Sequence, residues 1–355
     1  MSAAQAPRTS TARPLLLGGM AGLLRQRSVH VAAGGWLAAN LWVAGTAEAV
    51  LPFDWPALGE QSTTSHLLEI NLAMLQVLLA MLQVLLLIAV VVGLTRGRDL
   101  PDLAARAPER SIAQWEVLLL LVYGAAGLGL GLLLARLFGW HPFGLHLAGT
   151  LFGTHDPVRP AEAIVWAIYN LTVYALVPLW FFRSRYTAES LSLRSSDRRK
   201  DTTLILAVLA IETLFQVVVL QPWILDLAPS QLLLGGFLTF VLFLAGAVLP
   251  AMVFVYAILV PRFLRITESS ATTVILGGLV YAALHVWDAW TVFTSPSAWI
   301  LSLVFLLFTY FGPGMVKTVL TIRTGNAWVH VWAYHAFAPH TLHETALMVK
   351  VFHVY

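Results

Sequence analysis

The sequence predicts an all-α fold, a polytopic transmembrane helical bundle of about nine spans with its N-terminus inside and its C-terminus outside. Three observations carry that reading. Of 355 residues, 59% are hydrophobic and only 11% are charged, whereas soluble domains carry about 25% charged residues; the mean hydropathy is +0.79. Apolar runs of about 20 residues, long enough to cross roughly 30 Å of hydrocarbon as helix, recur along the chain. Arg and Lys gather in every second connection between those runs. Segments of about ten residues with alternating polarity, the mark of a membrane β-barrel, do not occur.

In order, the spans fall near 31–52, 66–94, 113–138, 161–183, 202–224, 232–260, 270–293, 298–321 and 326–351. Basic residues sit before the first span (Arg8, Arg13, Arg25, Arg27), after the second (Arg96, Arg98, Arg106, Arg110) and after the fourth (Arg183, Arg185, Arg194, Arg198, Arg199, Lys200). Arg262 and Arg265 follow the sixth and Arg323 the eighth. The intervening loops, such as HPFGLHLAGTLFGTHDPVRP, are nearly free of Lys and Arg, so the basic set lies inside. Residues 1–30 read as a cytoplasmic tail in which PLLLGGMAGLL forms an interfacial helix, being short for a span and lacking a clear cleavage site. Residues 31–140 form an N-terminal three-span extension and 160–355 a helical core. Gln76 and Gln83, one heptad apart in a repeated AMLQVLL, read as a packing seam. Gly127 and Gly131 form a GxxxG pair suited to close helix approach.

Cysteine is absent, which excludes thiol catalysis, iron–sulfur clusters and disulfides. The net charge of +3 comes from loops beside apolar spans. The expected partners are therefore membrane lipids and not nucleic acid.

Ionisable groups at membrane depth are costly, so each is a functional candidate. These are Glu48 and Glu69 near span ends, Glu212, His285, Asp288, His330 and His335. As helical residues, Glu212 and Gln216 share a face, and so do His285 and Asp288. The stretch RTGNAWVHVWAYHAFAPHTLHE, residues 323–344, adds His340 and His343, which read as members of the outer interfacial belt. Trp328 reads as belt, Trp287 and Trp290 as a cavity wall. Three chemistries can use these groups. A carboxylate beside imidazoles can activate water for peptide hydrolysis. Neutral imidazoles with a carboxylate, as in His340-x-x-His343-Glu344, can hold zinc or iron. Two histidines on different helices can ligate haem.

Residues 160–345 also carry an ordered set of motifs. VPLWFFRSRYTAESLSLRSSDRRKD is a span ending in an Arg-rich loop; VYAILVPRFLRI, LVYAALH and RTGNAWVHVWAYHAF follow it. This order resembles the CPBP family, the CAAX-processing and bacteriocin-processing intramembrane proteases, with Arg262 in the place of the EExxxR arginine, His285 in FxxxH and His335 in HxxxN. The resemblance implies a membrane-embedded cavity in which a glutamate, two histidines and an asparagine cleave a peptide near the bilayer surface. The motif glutamates fall on Ala257 and Ile258, and the asparagine on Pro339. A substitute base is therefore needed, Glu212 first and Asp288 second. The expected site is His285, His335, Glu212, Asp288 and Arg262, in a bacterial inner membrane, acting on a peptide or protein substrate. Two alternatives stand beside it. One is a catalytically inactive CPBP-fold protein that binds a partner transmembrane helix or serves in a complex. The other is a histidine-ligated metal or haem protein. The sequence names no cofactor.

Overall fold

The computed structural model describes residues 25–45, 66–147, 158–220, 223–288 and 291–355. Its main helices are α1 (Arg27–Gly45), α2 (His66–Leu94), the short α3 (Leu103–Arg106), α4 (Arg110–Phe138), α5 (Pro160–Arg183), α6 (Arg198–Val218), α7 (Pro229–Thr267), α8 (Ser270–Ala283), α9 (Pro296–Thr324) and α10 (328–351). There is no strand among the described residues. Six helices, α2, α4, α5, α6, α7 and α9, are long and apolar enough to cross a membrane, which supports an integral membrane protein. Glu48 and Trp290 lie outside the described residues, as do the side chains of Glu69 and Gln76.

Helix α7 is the axis of the bundle. From Met252 to Phe263 every residue is buried, which is what an all-round apolar helix requires. Its winding is not uniform. Four π-helical stretches end at Leu176, Leu220, Val248 and Leu259, each two residues before a proline, and a fifth, Val331–Thr341, contains Pro339. Proline lacks an N–H and crowds the carbonyl four residues earlier. Shifting to i→i+5 hydrogen bonds relieves both defects.

Small residues let neighbouring helices approach. At Gly314 an added Cβ would stand 2.8 Å from the Gly278 Cα, so α8 and α9 cross almost backbone to backbone. At Gly131 it would stand 2.8 Å from the Phe143 carbonyl oxygen.

The basic connections meet at one end of the bundle. Arg98 donates to Asp201 at 2.5 Å and to the Thr324 carbonyl at 3.3 Å, Arg106 to the Gly325 carbonyl at 2.8 Å, and Ala327 N to the Ser192 carbonyl at 2.7 Å. Arg323 donates to the Thr95 hydroxyl at 2.7 Å. The helices of 31–140 pack directly on those of 160–355: Trp36 meets Phe308 edge-on, Gln83 donates to Glu212, and Glu116 pairs with Arg262.

Two segments depart from the sequence reading. Helix α8 stops at Ala283, so His285 and Asp288 lie in the turn that follows it and not on a helical face. The Leu284 carbonyl there is taken up by another segment, accepting Leu145 N at 3.0 Å. Residues 139–147, read as part of an outer loop, instead insert into the bundle. Gly139, at φ 65°, ends α4; His141 is anchored on Glu162 through its backbone N at 2.9 Å and its ring at 2.8 Å. The Gly144 carbonyl then accepts Trp166 Nε1 at 2.9 Å and Asn170 Nδ2 at 2.8 Å. Irregular backbone at membrane depth is tolerated where protein groups satisfy it, as they do here.

Candidate functional site

Inside the bundle five imidazoles follow one another. Ring centroids are 5.7 Å apart from His330 to His335, 5.0 Å from His335 to His340, 5.2 Å from His340 to His146 and 5.9 Å from His146 to His285. Each ring is 2% exposed or less. Three of them lie five residues apart on α10. In an α-helix that spacing is about 1.4 turns and points side chains to different sides. The π-helical Val331–Thr341 closes i→i+5 bonds and brings them to one side.

His146 comes from the inserted segment 139–147, held there by Trp166 and Asn170 through the Gly144 carbonyl. His285 comes from the turn after α8. Its Nδ1 lies 2.7 Å from the Tyr281 carbonyl; a carbonyl only accepts, so Nδ1 carries the proton and Nε2 the lone pair. The Tyr281 hydroxyl meets His335 Nε2 at 3.0 Å. Tyr281 thus ties together the two histidines that the motif resemblance singles out.

Glu344, four residues beyond His340 and 1% exposed, reaches the same place. Its Oε1 lies 4.0 Å from His146 Nε2, and one ligand atom each of His146, His340 and Glu344 fall within 4.8 Å of one another. His340 is therefore a core residue stacked on Phe243 at 4.7 Å, not a member of an interfacial belt; the π winding turns it inward. His343 points elsewhere and donates to the Gln216 side-chain oxygen.

The remaining expected residues occupy three other places. Glu212 is buried and accepts from the amides of Gln83 and Gln216; its hydrogen bonds include none from His285 or His335. Asp288 accepts the Tyr310 hydroxyl, and Tyr310 stacks on His285 at 3.8 Å, so this carboxylate adjoins the histidines at one remove. Arg262 sits at the basic-loop end. It donates Nε to Glu116 at 2.6 Å and Nη1 to the Ile258 carbonyl at 2.8 Å, and packs over the rings of Phe182 and Tyr186. Tyr186 donates to Glu116 at 2.7 Å. Burial and that carboxylate push the Tyr186 hydroxyl pKa up.

Two further groups escaped the sequence reading. His146 was hidden in an apparent loop. Lys317 was hidden at a span end, yet it is 1% exposed, with Nζ 3.7 Å from the Tyr281 ring centroid and 5.4 Å from that of Tyr334.

Hydrogen bonding in this centre is incomplete. Both ring nitrogens of His330 and of His340, Nδ1 of His335 and Nε2 of His285 are buried without a hydrogen-bond partner. Each such atom costs about 1–3 kcal/mol. Chemically, the set can accept a proton at Glu344, donate or accept hydrogen bonds at several imidazoles, or bind a cation. No family model matches the chain, and no curated protein or solved structure matches it.

Proposed function

We propose that the chain is a CPBP-like intramembrane endopeptidase of a bacterial inner membrane, crossing nine times with the basic loops inside, and that Glu344 supplies the missing carboxylate. The observation that carries this reading is the meeting of Glu344 with His146 and His340, within 4.8 Å, beside His285 and His335. A carboxylate there takes a proton from water as the water oxygen attacks a peptide carbonyl, and a neutral imidazole N–H stabilises the oxyanion that forms. Glu212, occupied by two amides, becomes a helix-joining group.

The complete burial of the rings favours a second reading, a non-catalytic protein of the same fold that binds a partner helix. One assay separates the two. Purified protein in proteoliposomes is given a library of membrane-anchored peptides, and new termini are read by mass spectrometry. The endopeptidase reading expects new termini that vanish with Glu344→Gln. Cleavage that survives this substitution unchanged, or no cleavage of any peptide by the wild type, sinks it.

A further inference from the structure

We infer that His146, His340 and Glu344 form a binding site for a divalent first-row transition metal ion, with zinc as the first choice and ferrous iron as the second. This goes beyond the endopeptidase reading and does not depend on it. Two imidazoles and one carboxylate are the protein ligands of tetrahedral zinc sites that keep an open position, and also of facial ferrous sites. The three come from two separate parts of the chain, an inserted segment and α10, and their ligand atoms lie within 4.8 Å of one another. Zinc bonded at about 2.0–2.1 Å would draw such atoms to roughly 3.3 Å from each other. The set is therefore preformed to about an ångström per side chain.

An independent observation points to a ligand. His340 is 2% exposed, and neither of its ring nitrogens has a hydrogen-bond partner. Proteins rarely leave such atoms unsatisfied, and an imidazole lone pair in an apolar surround, here against Phe243, is a typical metal ligand. The neighbourhood also has the outer order of a metal site. His285, adjacent to His146, has its tautomer fixed by the Tyr281 carbonyl and keeps its Nε2 lone pair unpartnered. His285 is not among the three residues whose ligand atoms meet, so its role here is that of a neighbour. The α-helical period hides the arrangement, because His340 and Glu344 need the partner that only the inserted segment brings.

The test is elemental analysis of full-length protein purified in detergent through a tag that contains no histidine. Wild-type protein is expected to hold about one equivalent of zinc or iron per chain, or to take up one equivalent of zinc or cobalt on dialysis at micromolar metal. His340→Ala should lower this at least tenfold, while His353→Gln, at an exposed position, should leave it unchanged. Where His340→Ala fails to fold, Glu344→Gln keeps the side-chain shape and is read in the same way. Wild-type protein that neither carries nor takes up metal overturns the inference, as does full occupancy in both variants. Metal bound without peptide cleavage leaves this site standing and removes the endopeptidase reading; peptide cleavage by protein that takes up no metal does the reverse.

Discussion

The basic-loop end and the histidine centre handle buried polar groups in opposite ways. At the loop end Arg98 has Asp201, Ser196 and the Thr324 carbonyl, Asp201 also has Ser195 and Asn326, and Arg262 has Glu116. Arg98 and Arg262 each have a carboxylate partner, as expected of charges whose work is to fix the fold, although single guanidinium nitrogens of both are buried without a hydrogen bond. In the histidine centre, built from α10 and the turn after α8, six imidazole nitrogens of four histidines have no hydrogen-bond partner. A network of paired charges explains itself by stability. An unsatisfied one costs stability, and its persistence points to a ligand or a reaction.

The sharpest way to break that contrast is to substitute on its two sides and compare. Glu344→Gln is expected to cut peptide cleavage by about 10²–10⁴, the usual worth of a general base, while leaving the fold intact; rates in proteoliposomes and thermal unfolding measured together check both halves. Arg262→Ala should do the converse. It strands a buried Glu116 carboxylate and should cost about 3–5 kcal/mol of stability, read by denaturant unfolding in detergent. Replacing both partners with apolar residues should recover much of that loss.

Smaller effects sharpen the comparison. Tyr281→Phe removes the hydroxyl bound to His335 but keeps the carbonyl bound to His285. It should cost about 1–3 kcal/mol and alter the ring resonances of His335 more than those of His285 in NMR spectra. The smallest effect belongs to Asp197, the partly exposed N-cap of α6, whose pKa is lowered chiefly by the hydrogen bond from Lys200 N. With its folded pKa below its unfolded value, Asp197 contributes stability above the unfolded carboxylate range and loses it as pH falls through the folded pKa. Asp197→Asn should flatten that acid limb, seen as a smaller drop in unfolding temperature between neutral pH and the acid range.

Much of the fold was legible because its causes are local. The nine apolar runs of span length include the six helices long and apolar enough to cross a membrane, and the basic loops gather Arg98, Arg106, Arg262 and Arg323 at one end. The motif order expects His285 and His335 at one site but gives Tyr281 no part in joining them. What was not legible has non-local causes. His146 lies in a stretch without helical period and enters the core only because Trp166, Asn170 and Leu284 satisfy its backbone. His340 looked like an interfacial residue because it falls in the outer half of its span, and the π winding turns it inward. Lys317 lies inside the eighth span near its basic end; its place beneath Tyr281 depends on the close α8–α9 crossing at Gly278 and Gly314. Glu344 gained meaning only once His146 stood beside it.

The central claim is that the working carboxylate lies with the unpartnered histidines and not with the amide-bound Glu212. The most direct measurement compares the initial cleavage rates of Glu344→Gln and Glu212→Gln on the same membrane-anchored peptide in matched proteoliposomes. The account predicts that Glu344→Gln falls by at least about a hundredfold while Glu212→Gln keeps most of the wild-type rate. Loss of cleavage in Glu212→Gln with Glu344→Gln still active would contradict it and move the centre to the Gln83 and Gln216 network.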